Sequence, residues 1–153
     1  MAKNKIGLQF SGFKELSEKL DRLGGDLKKT TEEALTESKK AVTNDLLKAT
    51  TKNYYPAKGK YSQGDTRRSI DLSTKVEWTG MKGSIPVGFD FDKSGPVSIF
   101  LMYGTPRHKP NHPGTAQVKA MYDAIYGSKA QQKIKKKQEE IFQNAIKKRM
   151  GGG

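Results

Sequence analysis

Asp26-Leu-Lys-Lys-Thr-Thr-Glu-Glu-Ala-Leu-Thr-Glu-Ser-Lys-Lys-Ala-Val-Thr-Asn-Asp-Leu-Leu-Lys-Ala-Thr50 reads as one long amphipathic helix. Leu27, Ala34, Leu35, Ala41, Val42, Leu46 and Ala49 mark its apolar stripe, and Lys28, Lys29, Glu32, Glu33, Lys39 and Lys40 fall on its other faces. Asp26 supplies an N-cap, and the helix is expected from about Leu27 to about Thr50. Upstream, Ile6, Leu8 and Phe10 alternate with polar residues, which predicts a short strand over Lys5–Phe10. Ser11-Gly12 turns the chain, with Ser11 as a helix cap. Phe13, Leu16, Leu20 and Leu23 then recur at helical spacing until Gly24-Gly25 stops them.

Downstream, Lys52 to Thr66 is polar and rich in Gly, Tyr and Lys, which predicts an exposed, mobile loop. A strand-rich middle follows. Ile70, Leu72, Val76 and Trp78 predict a strand over Ser69–Thr79, Gly80-Met81-Lys82-Gly83 a hairpin turn, and Ile85, Val87 and Phe89 a strand over Ser84–Phe91. Pro86 inside that last run points to an edge strand or a bulge. After a turn at Asp90–Gly95, the apolar run Pro96–Tyr103 reads as a further strand, with a helical start as the alternative for so short a run. Gly104–Gly114 holds Pro106, Pro110 and Pro113 and is expected to be an irregular, mobile loop. Thr115 caps a helix to Tyr126, Gly127-Ser128 breaks it, and a basic helix runs from Lys129 to about Met150. The fold class is α+β: an antiparallel sheet of about three to four strands, packed by a long N-terminal helix and C-terminal helices. The 153 residues fit one domain, 1–153.

Apolar residues make up 33% of the chain. Ordinary globular chains carry roughly 45–50% on a count that includes Gly, and the chain stays below that even with Gly allowed for, so the core is thin and partner subunits are expected to help bury surface. No cysteine occurs, which excludes disulfides and thiolate metal sites. The N-terminus lacks a signal-peptide apolar run, and no stretch approaches the roughly 20 apolar residues of a membrane span, so no membrane partner is expected.

Nothing in the sequence assembles catalytic chemistry. His108 and His112 stand four apart, but Pro110 and Pro113 exclude a helix that would converge them on a metal, and Arg107 and Lys109 repel a cation. There is no Gly-x-Ser-x-Gly elbow or Gly-rich phosphate loop. Asp90 and Asp92 sit in a turn and solvate it. Neither an enzyme activity nor a cofactor is expected.

The net charge of +13 favours acidic partners. Lys133, Lys135, Lys136, Lys137, Lys147, Lys148 and Arg149 concentrate it at the C-terminal end. These suit contacts to DNA phosphates or an acidic protein, and Arg67-Arg68 beside Tyr54, Tyr55 and Tyr61 adds rings that stack on bases. A solvated helix face is the plainer reading of the same charges. A basic nucleic-acid-binding protein is accordingly the alternative function. The two irregular segments suit subunit contacts instead, because Tyr and Pro lose little side-chain entropy on being fixed. Gly104 is expected to supply a backbone conformation other residues resist.

Three blocks in order carry a family resemblance. The opening Ile6-Gly7-Leu8, with Phe13-Lys-Glu-Leu16 and Leu20, is the first. Gly64-Asp-Thr-Arg-Arg-Ser-Ile70 is the second, and Phe100-Leu-Met-Tyr-Gly-Thr105 with His108 and His112-Pro113 is the third. Together they resemble the neck and tail-completion proteins of long, non-contractile-tailed bacteriophages, also described as minor tail or head–tail joining proteins. The likeness covers nearly the whole chain. The family usually has an acidic residue where Met102 stands, Thr at Gln63, Leu at Thr66, and an aromatic or apolar residue at Gly114.

The resemblance implies a structural virion protein of the head–tail junction, made in the host cytoplasm, forming a homo-oligomeric, sixfold ring that joins the DNA-filled head to the tail. It implies head-closure or connector proteins and tail-terminator or tail-tube proteins as partners. The expected contact residues are Tyr54, Tyr55, Tyr61, Arg67 and Arg68 in one segment, and Tyr103, Gly104, Thr105, His108, His112 and Pro113 in the other. Six copies of a chain carrying +13 bring a formal +78 to such a ring, which would draw channel DNA or acidic neighbours.

Overall fold

A computed structural model describes residues 5–8, 12–50, 65–93, 95–106, 110, 114 and 116–151 of the chain. Its elements run β1 (Lys5–Ile6), α1 (Phe13–Arg22), α2 (Leu27–Ala49), α3 (Asp65–Arg68), β2 (Glu77–Thr79), β3 (Lys82–Pro86), α4 (Gly95–Tyr103), α5 (Lys119–Tyr126) and α6 (Ser128–Met150). The class is α+β, with a three-stranded antiparallel sheet, a long N-terminal helix and C-terminal helices.

The chain forms two compact units. The first comprises Met1–Ala41, Ser73–Pro86 and Gln131–Gly153. Its sheet has the order β1-β3-β2, with Ile6 opposite Ile85 and Trp78 opposite Gly83. Gly80 at φ 62° followed by Met81 forms the two-residue turn of the β2–β3 hairpin, matching the right-handed twist of the strands. Leu20, Ala34, Phe142 and Ile146 form the core, with Phe13, Leu16 and Leu27 packed on it and the Phe13 ring edge-on to Phe142. The Asp26 carboxylate accepts from Lys29 N at 2.9 Å, which is the cap the sequence offered.

The second unit comprises Val42–Leu72 and Val87–Ala130. It buries Leu46, Ile70, Phe89, Leu101, Met121 and Ile125. An isolated bridge joins Ile70 to Phe89, flanked by Asp71 N donating to Gly88 O and Asp90 N donating to Ser69 O. Val118 N donates to Leu101 O at 2.7 Å, tying the start of α5 to α4.

Several expectations are corrected. Pro96–Tyr103 lies in a helix, α4, not a strand. Proline fits the first turn because its missing N–H has no intrahelical acceptor there. Ser98, Leu101 and Met102 are buried while Val97, Phe100 and Tyr103 are exposed, a three-to-four-residue period. The strand expected over Ser69–Thr79 shrinks to Glu77–Thr79, and Leu72 is 67% exposed. The Ser84–Phe91 run is a strand only to Pro86, and β3 is the central strand rather than an edge. Pro86 is tolerated because it ends β3, where only the two-residue β1 runs alongside. The hairpin turn is Gly80–Met81 alone, since Lys82 and Gly83 already pair.

Lys39, placed on a solvent face by its charge, is 3% exposed. It belongs to a second buried row, Thr31, Leu35, Lys39 and Thr43, beside the row Thr30, Ala34, Ser38, Val42, Leu46 and Thr50. Ser38 Oγ donates to Ala34 O, so part of this polar row is satisfied within the helix itself. The first strand covers only Lys5–Ile6: Gly7 and Leu8 are no longer strand, and Gln9, Phe10 and Ser11 lie outside the described residues. Asp65 and Thr66 belong to α3 rather than to the preceding loop. The helix expected from Ala116 begins at Lys119, after Val118, and Thr115 lies outside the described residues.

Candidate interaction surfaces

The most developed surface lies in the second unit, on α4 and α5. With Ser98, Leu101 and Met102 turned inward, α4 presents Val97 at 46%, Phe100 at 56% and Tyr103 at 57% exposure, three residues apart on one face. The Tyr103 ring meets Tyr122 edge-on at 5.6 Å. Tyr122 in turn lies 5.1 Å from Tyr126, one turn along α5. Three tyrosines thus run continuously from the end of α4 along α5, each ring within contact range of the next and the first pair in the favoured edge-on geometry.

The backbone at the end of α4 is fixed by Gly104. Its φ is 73°, in the left-handed region, and its N–H donates to Phe100 O at 2.8 Å. A side chain there would crowd the following carbonyl, which is why glycine closes the helix. This is the conformation expected of Gly104. Further on, a Cβ on Gly114 would stand 2.4 Å from Thr105 O, so the two ends of the 105–114 segment meet in direct backbone contact.

The second motif places its residues by helix geometry. On α3 and just after it, Thr66, Ser69 and Ile70 are buried, while Arg67 and Arg68 are exposed. Ser69 Oγ donates to Thr66 O at 2.7 Å and Ile70 N to Arg67 O at 3.2 Å, which winds the block into one tight turn. Tyr103, Thr105, Arg67 and Arg68 therefore all belong to the second unit. Tyr54, Tyr55, Tyr61, His108, His112 and Pro113 lie outside the described residues.

The basic residues occupy α6 in the first unit. Its buried row is Ile134, Gln138, Phe142 and Ile146. Lys133, Lys135, Lys136, Lys147, Lys148 and Arg149 are exposed, and Lys137 is half-buried with Glu140 at 3.8 Å. A cleft of about 410 Å³ opens where α6 ends beside the start of α2. Leu20, Ile141 and Ala145 line its apolar part, and Asp26, Lys29, Glu33, Lys148 and Arg149 its polar part. Sequence reading missed this cleft, because its walls are over a hundred residues apart in the chain and share no local motif.

Among the described residues, no group of three or more His, Cys, Asp or Glu side chains could hold a metal ion, and no helix is long and apolar enough to cross a membrane. No protein-family model, curated protein sequence or solved structure matches the chain.

Proposed function

We propose that this chain is a structural subunit of a bacteriophage head–tail junction, one that assembles with copies of itself into a sixfold ring and helps join the DNA-filled head to the tail. The observation that carries this reading is the aromatic face of α4 and α5. Phe100 and Tyr103, two residues of the Phe100–Thr105 block that resembles the tail-completion family, are both more than half exposed. Exposed aromatic residues on one helix face are what subunit contacts use, because they bury much area for little lost entropy.

A closed ring needs two different patches on each subunit, each meeting the other on the next copy. The α4–α5 face serves as one, and the second motif, with Arg67 and Arg68 outward, as its counterpart, since guanidinium planes stack on aromatic faces. Head-closure or connector proteins and tail-terminator or tail-tube proteins would flank the ring.

The reading is tested in the virion. A phage whose gene for this chain is interrupted should accumulate filled heads and finished tails that do not join, and adding the purified chain to the lysate should restore joining. Normal tail attachment without the chain would overturn the proposal.

A further inference from the structure

Among the helices, α6 carries the largest basic excess. Helix α6 carries eight Lys or Arg residues against Glu139 and Glu140. Helix α1 is balanced, with Lys14, Lys19 and Arg22 against Glu15, Glu18 and Asp21. Helix α2 is nearly so, and its Lys40 is paired with Glu37 at 2.6 Å. The excess on α6 also has a direction. At 100° per residue, Lys133, Lys136 and Lys147 fall within about 60° of one another. They lie on the side away from the buried row of Ile134, Phe142 and Ile146. Gln143 shares the stripe, and Glu140, its one acidic member, stands 3.8 Å from Lys137.

We infer that this stripe of α6 is a contact surface for the sugar–phosphate backbone of double-stranded DNA, read without regard to sequence. From Lys133 to Lys147 the helix rises about 21 Å. A duplex of that length, about six base pairs, carries about twelve phosphates wound around its axis, so lysines spread along one helix face can reach phosphates at the groove edges without reading the bases. The inference goes beyond the assembly reading and does not depend on it, since a lone subunit carries the whole stripe. An anionic membrane is the weaker match. A helix that lies on lipid inserts its apolar side, and the apolar side of α6 is occupied by the core of its own unit, with Phe142 and Leu20 packed together.

The test is a salt titration of duplex binding. A fluorescent random-sequence duplex is titrated with the wild-type chain and with Lys133→Gln/Lys136→Gln/Lys147→Gln, and affinity is followed over a range of salt concentrations. Glutamine matches lysine in helix propensity, and circular dichroism confirms that the variant folds. The slope of log affinity against log salt should become shallower by about 2.7, at roughly 0.9 for each phosphate that is no longer neutralised. A control variant, Lys14→Gln/Lys19→Gln/Arg22→Gln, removes the same charge from α1 and should leave the slope close to wild type. Equal losses in the two variants would mean that net charge alone matters, and would overturn the proposal. So would absence of duplex binding, or tighter binding to polyglutamate or to phosphatidylserine vesicles than to the duplex.

Discussion

The indole Nε1 of Trp78 donates to Glu32 Oε1 at 3.0 Å, tying the outer strand of the sheet to the first half of α2. Lys28 Nζ stands 5.6 Å from the centre of the same ring. The ring also lies against Gly83, where a Cβ would come within 3.2 Å of Trp78 Cη2 and 3.3 Å of Leu35 Cδ1. A single aromatic side chain therefore holds helix and hairpin in register, in a unit whose β2 strand has only three residues.

Removing the acceptor should loosen that clasp. Glu32→Ala is expected to cost about 1 kcal/mol, the usual net worth of such a bond at a partly exposed site. Glu32→Gln keeps an acceptor and should stay near wild type. Trp78 is the sole tryptophan, so its emission reports the change directly. A red shift and an earlier urea midpoint are expected for Glu32→Ala, and an unchanged midpoint would show that the bond contributes nothing.

A buried amide makes a second, opposite case. Gln138 is fully buried on the apolar row of α6, and its Nε2 donates to Gly7 O at 2.9 Å. Its Oε1 is buried and accepts no hydrogen bond among the described residues. Burying an unsatisfied acceptor costs about 1–3 kcal/mol, so Gln138→Met, which keeps the volume, should lie within about 1 kcal/mol of wild type in either direction. Gln138→Ala opens a cavity and should cost about 2–5 kcal/mol. Chemical denaturation of both variants separates packing from hydrogen bonding, and equal losses would mean that the bond to Gly7 dominates.

Helices α1, α2 and α6 are legible in the sequence because their apolar residues repeat over three turns or so, and because Asp26 and Gly24 punctuate them. Lys39 defeats the same reasoning for a physical reason: α2 is buried along two rows, and the second holds polar residues that periodicity assigns to solvent. The apolar run at Pro96–Tyr103 is too short and too uniformly apolar to show a period, and only burial reveals which side of α4 faces inward. Alternation at Ile70 and Leu72 suggests a strand, but a strand needs a neighbour, and here Ile70 alone finds one in Phe89. The candidate surface is legible as motif residues; their exposure and the tyrosine run require tertiary structure.

The aromatic face yields a prediction that separates folding from assembly. Phe100→Ser/Tyr103→Ser alters two residues that are each more than half exposed, so thermal stability of the subunit should change by no more than about 1 kcal/mol. On the ring proposal, sedimentation should nevertheless show the variant as monomer while wild type assembles. Leu101→Ala, on the buried side of the same helix, should do the reverse at the level of the subunit and cost about 2–5 kcal/mol. Rings that form equally well with serine at both positions would remove this face from the interface.

Gly104 joins that face to the segment beyond it, and its contribution can be measured by a graded series. At φ 73° an L side chain is strained by about 1–2 kcal/mol, because Cβ approaches the following carbonyl. Asparagine tolerates this region best among the non-glycine residues, and β-branched residues tolerate it worst. Stability should therefore fall in the order Gly, Asn, Ala, Val at position 104, read from thermal denaturation. The order matters more than the size, because helix propensity alone would favour alanine over both glycine and asparagine. If Gly104→Ala proved more stable than Gly104→Asn, the left-handed backbone would not be what the position selects for. The series also bears on assembly: the Gly104 N–H bond to Phe100 O lies within the turn that sets Tyr103 against Tyr122. On the ring proposal, a strained turn should therefore weaken assembly in the same order as stability, even at temperatures where every variant is folded.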